Sequence, residues 1–102
     1  MDPAAGEPRT TEADWRTRVA AARDALARAR LFADALQTRI NVLSADYVSR
    51  DDPAQREVVA ADRQRALVEL DRVTQEIQQQ QKALAAIQDE ARRAGVPAGW
   101  VR

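Results

Sequence analysis

The apolar residues of this chain recur in alternating steps of four and three, and this pattern is interrupted once. The mean step is about 3.5 residues, the period that keeps one stripe of a helix facing a partner helix along a left-handed supercoil. We call this stripe the seam. Its first run is Trp15, Val19, Ala22, Leu26, Ala29, Ala33, Leu36, Ile40, Leu43 and Tyr47, and its second is Val59, Arg63, Ala66, Leu70, Val73, Ile77, Gln80, Leu84, Ile87, Ala91 and Ala94.

The interruption, residues 49–56, combines a helix stop with a helix start. Asp52 can accept hydrogen bonds from the free backbone N–H groups of a new helix, and Pro53 suits the first helical position because its missing donor would be unpaired there. Gln55 stands where a capping-box residue reaches back, and Asp51 belongs to the turn. The sequence therefore predicts helix 1 over about 12–49, a turn at 50–52 and helix 2 over about 53–94.

The segment before the first seam residue differs from the rest of the chain. Residues 1–10 contain two Pro and one Gly and show no periodicity, which predicts a disordered leader or linker. Thr11 is the expected N-cap of helix 1. The helical hairpin is thus expected to occupy residues 11–102.

The second helix has an explicit predicted end. Gly95 suits the left-handed cap position, and Pro97 cannot continue a helix. The tail, residues 95–102, emerges beside the start of helix 1 in a hairpin. Trp100 can therefore fold back toward Trp15, so that two indoles close the open end.

The overall composition fits a fold made only of helices. Aromatic residues make up 4% of the chain and there are three Gly, while Ala, Arg, Gln, Leu and Glu dominate. Two seams of similar length joined by a short turn leave antiparallel packing as the available arrangement. We therefore predict an all-α protein, an antiparallel coiled-coil hairpin of two long helices.

Charged residues beside the seam select the alignment of the two helices. One register pairs Arg18 with Glu90 and Arg39 with Glu69 across the hairpin. Two polar residues, Arg63 and Gln80, fall on the seam itself. Either they fix the register or the oligomeric state, or their long side chains lie along the groove with their heads in water.

A second set of apolar residues lies outside the seam, in the half of the hairpin nearest the turn. A two-helix hairpin buries only one stripe per helix, which is marginal against the entropy lost on ordering the chain. We expect a homodimer that forms a four-helix bundle, with an isolated monomer as the alternative. The predicted dimer face consists of Leu31, Phe32, Val42, Val58, Leu67 and Val68, accompanied by Ala35, Ala45 and Ala61.

The charge of the chain is balanced, with 16 basic and 16 acidic residues. This balance removes the overall field that would attract nucleic acid or an anionic membrane. One local imbalance remains, because Arg16, Arg23 and Arg30 recur every seven residues with no carboxylate opposite them. This stripe is either a solvated face, with Arg16 paired to Glu12 and Arg30 to Asp34, or a binding site for anions.

The sequence lacks the residue patterns of a catalytic or metal-binding site. The chain has neither Cys nor His, and its one carboxylate cluster, Asp46, Asp51 and Asp52, lacks the ligand spacing and glycine of a calcium loop. We predict no catalytic, metal or cofactor site and no enzymatic activity. No apolar run approaches the roughly 18 residues of a membrane span.

The turn Asp-Asp-Pro-Ala-Gln at 51–55 and the end Gly-Val-Pro-Ala-Gly-Trp-Val-Arg at 95–102 resemble those of uncharacterised bacterial proteins, notably of acidobacterial type, that also carry a Trp-Arg start. The resemblance covers roughly residues 13–102. Those relatives look like exported proteins with a leader ahead of this region, which implies a periplasmic or envelope setting and a signal peptide that is removed. No activity comes with the resemblance.

Taken together, the sequence favours a non-enzymatic structural or protein-interaction module, a helical hairpin that associates with itself. The alternative is a protein that binds polyanions, such as nucleic acid or an anionic envelope polymer, through Arg16, Arg23 and Arg30.

Overall fold

Two long helices and a short third one make up the fold. The computed structural model describes residues 10–102, so the predicted leader lies outside the described residues except for Thr10. Helix α1 spans Glu12–Ser49, α2 spans Pro53–Ala94, and a 3₁₀ helix spans Ala98–Val101. The molecule measures 77 × 27 × 17 Å, the dimensions of a single layer of two antiparallel helices. The predicted all-α hairpin is confirmed.

Helix α1 begins with a capping box. The backbone N–H of Asp14 donates to Thr11 Oγ1 at 3.2 Å, and the backbone N–H of Thr11 donates to Asp14 Oδ2 at 3.0 Å. The hydrogen bond from the Thr11 backbone lowers the pKa of the Asp14 carboxyl below its ordinary value. Two N–H groups that a helix start leaves unpaired are therefore satisfied locally.

The turn is held by a different set of hydrogen bonds from the one predicted. Asp52 caps α2, because its Oδ1 accepts from the backbone N–H of Ala54 at 3.0 Å. The predicted capping box through Gln55 is wrong. Its Oε1 instead accepts from Arg50 Nη1 at 3.2 Å, while Arg50 Nε pairs with Asp46 at 2.9 Å. A charged guanidinium is a stronger donor to the amide oxygen than a neutral backbone N–H.

The helices pack along the predicted seam. Every residue buried in either long helix falls on it, and Val73 is fully buried. Tyr47 and Ala94, the last seam residues of their helices, are exposed because each lies where its partner helix is only beginning. The buried seam residues are Trp15, Val19, Ala22, Leu26, Ala29, Leu36, Ile40, Val59, Ala66, Val73 and Ala91.

One of the two predicted interhelical ion pairs forms. Arg18 Nη2 donates to Glu90 Oε2 at 2.6 Å, and this hydrogen bond lowers the pKa of the Glu90 carboxyl. The predicted pair of Arg39 with Glu69 is wrong, because Glu69 pairs with Arg72 on its own helix at 2.6 Å. Neighbours on one helix meet with less loss of side-chain freedom than residues on two helices do.

A second interhelical contact lies in the seam near the turn. Arg63 is half-buried, and its Nε donates to Ser44 Oγ at 2.8 Å. Ser44 Oγ in turn donates to the Ile40 carbonyl oxygen at 2.8 Å. This contact fits the interpretation that Arg63 fixes the register, because its guanidinium binds Ser44 of the opposite helix at one position along the seam. Gln80, the other polar seam residue, is half-buried.

Helix α2 ends in a Schellman motif, as Gly95 predicts. Gly95 has φ 74° and ψ 18°, the left-handed conformation that costs glycine little. The N–H of Gly95 donates to the Arg92 carbonyl at 3.1 Å, and that of Val96 donates to the Ala91 carbonyl at 3.2 Å. This stop turns the chain back toward the start of α1.

Replacing Asp52 by Ala should lower the free energy of unfolding by about 1 kcal/mol, because the first turn of α2 loses its side-chain acceptor. Thermal or urea unfolding followed by circular dichroism measures this change. Asp51→Ala is the matched control, since it removes an exposed neighbouring carboxylate that does not cap the helix, and its effect should stay below about 0.5 kcal/mol. Equal losses in the two variants would rule out a specific capping role.

Candidate binding surfaces

The open end of the hairpin carries a small core in which the tail takes part. Trp15 and Val19 of α1, Ala91 of α2 and Val101 of the tail are all buried together. Four half-buried apolar residues pack against this group, namely Leu84, Ile87, Val96 and Trp100. The tail thus covers the ends of both helices, and Trp100 folds back as predicted.

Val101 is a core residue that sequence reasoning missed. It is 7% exposed, whereas Trp100 is only half-buried. Pro97 precedes the 3₁₀ helix, in which the N–H of Trp100 donates to the Pro97 carbonyl at 3.0 Å. Gln88 Nε2 donates to the Val101 carbonyl at 3.1 Å and ties the tail to α2. The apolar character of Val101, next to Trp100, was the one sequence signal for its burial. The tail has no periodic pattern, so the sequence does not show which of its side chains face the core.

Trp15 is the other indole at the open end, and it lies in the core against which Trp100 packs. Its ring is 3% exposed, and Nε1 has no hydrogen-bond partner among the described residues. The guanidinium of Arg18 lies 4.8 Å from the ring centroid, a cation–π distance. The guanidinium of Arg18 therefore packs over the ring of Trp15 and also forms the ion pair with Glu90.

Two grooves flank the docked tail, and together we call them the tail grooves. The larger, of about 500 Å³, is lined by residues of α1, the end of α2 and the tail. The smaller, of about 310 Å³, lies against α1 and Trp100. Arg23 and Arg102 line both grooves. The tail therefore creates concave surfaces that two bare helices would lack.

The three arginines of the predicted stripe have different surroundings. Arg16 pairs with Glu12 at 2.9 Å, as the solvated-face interpretation predicts. The predicted pair of Arg30 with Asp34 is absent. Within residues 10–102, neither Arg23 nor Arg30 lies within ion-pair distance of a carboxylate, and both are exposed. Arg16 and Arg23 both line a tail groove, and of these two only Arg23 has no carboxylate partner among the described residues.

The turn-proximal half of the hairpin carries the exposed apolar residues. Six of its large side chains besides Tyr47 are exposed, by between 45% and 76%. In the described residues before 31 and after 68, no large apolar side chain is exposed to this extent. Leu67 of the predicted face is half-buried. The exposed set is Leu31, Phe32, Val42, Val48, Val58 and Val68.

These exposed side chains do not all lie on one surface. Helical geometry at about 100° per residue places Phe32, Val42 and Val58 on the same broad face of the hairpin, the one that also carries the Arg18–Glu90 pair. Leu31 and Val68 each lie opposite the seam, on the two outer edges. A flat partner can therefore cover the first three together, but not all of the predicted face at once.

The turn itself is polar and well bonded. The guanidinium of Arg56 lies 5.6 Å from the centroid of the Tyr47 ring, and Arg56 Nε donates to the Arg50 carbonyl. Asp51 is exposed beside these contacts. Within the described part of the chain, no group of three or more acidic residues is placed to hold a metal ion. Nor does any described helix have the length and apolar character needed to cross a membrane.

Comparison with protein-family models, curated proteins and solved structures finds no match to this chain. The resemblance of the turn and tail to those of exported bacterial proteins therefore stays an expectation. The candidate surfaces rest on the geometry of the hairpin alone.

Shortening Val101 to Ala should lower the free energy of unfolding by about 1–2 kcal/mol, because two methyl groups leave a buried site above Trp15. The fluorescence of the buried indole should also shift toward longer wavelength as water gains access. Val48→Ala makes the same chemical change at a side chain that is 76% exposed, and it should alter neither quantity appreciably. Identical behaviour of the two variants would show that the tail does not stay docked.

Proposed function

We propose that this protein is a non-enzymatic interaction module in which two hairpins associate through their turn-proximal halves. The observation that carries the proposal is the distribution of exposed apolar side chains. All of the large ones in the described chain lie between residues 31 and 68. In the other half, the large apolar side chains of the described residues are all buried or half-buried.

The contrast between the halves has a physical basis. At the open end, the tail adds a second layer over the helices through Val96, Trp100 and Val101. Near the turn, no described segment plays this part, and Phe32, Val42 and Val58 stay exposed. Each fully buried side chain of valine or leucine size contributes about 1.5–3 kcal/mol. A second layer over the turn-proximal half would therefore add appreciable stability.

A second copy of the chain fits this surface in charge. The face that carries Phe32, Val42 and Val58 also carries both signs of charge, and an isologous interface needs a surface that is complementary to itself. Arg39 and Arg65 supply positive charge there, and acidic side chains on both helices supply negative charge; they are Asp46, Asp62 and Glu69. The net charge of zero adds no overall repulsion between two copies.

The available area also suits a dimer. The turn-proximal half of each helix is about 28 Å long, at about 1.5 Å per residue, and two helices of about 10 Å diameter side by side are about 20 Å wide. The face is therefore roughly 560 Å² in projection, before the relief of its side chains is counted, which is of the order of the roughly 800 Å² that each partner contributes to a standard protein–protein interface. Two hairpins stacked by this face would form a four-helix bundle, the assembly that the sequence predicts.

Replacing Val42 and Val58 together by Glu should convert the dimer to a monomer, because two carboxylates per copy would have to be desolvated at the interface. Sedimentation velocity over a wide range of protein concentration measures the change. The melting temperature of the wild type, unlike that of the variant, should rise with concentration.

The matched control is the pair Ala21→Glu and Ala86→Glu, which adds the same charges at equivalent positions of the same broad face in the open half. Both alanines are exposed, so the hairpin itself should be undisturbed and the dimer should persist. A wild type that sediments as a monomer up to the millimolar range would overturn the proposal.

The second candidate function is the binding of a polyanion by the arginine stripe. It is favoured by the absence of a carboxylate partner for Arg23 and Arg30 in the described chain, which leaves their charge available. Binding of a DNA duplex should then weaken with salt, with a slope of about −2 to −3 in log K against log salt. Arg30→Gln should reduce the slope by about one. A slope near zero, or no binding at about 50 mM salt, would remove this candidate.

A further inference from the structure

The larger tail groove combines an apolar floor with a basic rim. Its floor is formed mainly by the half-buried Val96 and the exposed Ala98, because Ala91 and Val101 are only 1% and 7% exposed, and its rim is formed by Arg23, Arg92 and Arg102. The volume of about 500 Å³ falls within the range of small-molecule sites, which are mostly apolar with a few polar groups that orient the ligand. No acidic residue lines this groove.

Two of the three rim arginines, Arg23 and Arg102, have no ion pair among the described residues. The third, Arg92, lies 3.4 Å from Asp89. Arg23 also lines the smaller groove next to Trp100, so it stands between the two concave surfaces. A guanidinium can bind a carboxylate through two parallel hydrogen bonds.

The shape of the groove is held by the fold of the tail. The Schellman motif at Gly95 sets the direction of the chain, and Gln88 Nε2 binds the Val101 carbonyl at 3.1 Å. Val101 is buried against Trp15, so the floor is anchored to the open-end core. A preformed site binds its ligand more tightly, because less of the binding free energy is spent on ordering the protein.

We infer that the larger tail groove binds a small carboxylate with a short apolar body, of the kind represented by a medium-chain fatty acid. Arg23 binds the carboxylate, Arg92 and Arg102 add positive charge, and the apolar body lies on Val96 and Ala98. The apolar floor distinguishes this site from a surface that attracts anions by charge alone. The site lies in the opposite half of the hairpin from the dimer face, so it does not depend on the proposed association.

The test is a titration of the full chain with octanoate, followed by calorimetry and by the fluorescence of Trp100, which lines the adjoining groove. We expect saturable binding with one site per chain. Arg23→Gln should weaken it about tenfold, the effect of losing one charge-assisted contact. Arg28→Gln is the matched control, because it removes an exposed arginine of the same helix that lines neither tail groove, and it should leave binding unchanged.

Two further ligands separate the contributions of charge and apolar contact. Acetate should bind much more weakly than octanoate, because it lacks the apolar body, and octanol should bind more weakly because it lacks the charge. Equal binding of octanoate and octanol, equal binding of octanoate and acetate, or equal losses in the Arg23 and Arg28 variants would each overturn the inference. A circular dichroism melt of each variant verifies that the hairpin stays folded, since both arginines are exposed.

Discussion

The burial of one apolar stripe against another is the constraint on which this structure depends. Two helices in a single layer have no other large surface to remove from water, so every residue that is buried in them lies on the seam. The entropy lost on ordering about 80 helical residues is large, and isolated helices gain little from intrinsic propensity. The hairpin therefore relies on continuous contact along the seam, and its ends and its turn must keep the two stripes aligned.

The alignment is fixed by contacts at different heights along the hairpin. Near the turn, Arg63 binds Ser44 across the seam, and near the open end Arg18 binds Glu90. Exposed ion pairs contribute little stability, so the Arg18–Glu90 pair acts mainly by selecting one register. Both members of this pair are exposed. The pair makes the stability of the hairpin depend on pH, because the hydrogen bond from Arg18 lowers the pKa of Glu90 in the folded state. Its contribution to stability is fully present above the ordinary pKa of a glutamate, and it is lost as the pH falls through the lowered pKa of the folded state.

The two halves of the hairpin differ in what covers them, and the two proposed functions follow from this difference. The tail closes the open half and in doing so forms grooves with arginine at their rim. The turn half has strong local bonding at Arg50 and Arg56 but leaves Phe32, Val42 and Val58 uncovered. One half thus offers a site for a small ligand, and the other offers a surface for a second copy.

Sequence alone determined the helices, their ends and their register, because these follow from local chemistry and from a repeat that only a helix pair satisfies. The seam, the Thr11 and Asp52 caps and the Gly95 stop each depend on residues within a few positions of one another. The choice among competing polar partners needed the tertiary structure. Glu69 pairs with Arg72 instead of Arg39, because neighbours on one helix lose less side-chain freedom on pairing. Gln55 binds Arg50 instead of its own helix start, because a guanidinium is a stronger donor than a backbone N–H.

The candidate sites were also only partly visible in the sequence. The spacing of Arg16, Arg23 and Arg30 indicated a stripe, but only the folded chain separates Arg16, which pairs with Glu12, from Arg23, which borders two grooves. Val101 could not be assigned to the core because an aperiodic tail carries no record of which side faces inward. The apolar repeat determined the hairpin, because it recurs over many residues and is therefore visible in the sequence. The grooves exist only where the folded tail packs against both helices. A single tertiary contact between residues far apart in the sequence leaves no periodic pattern, so only the folded structure shows it.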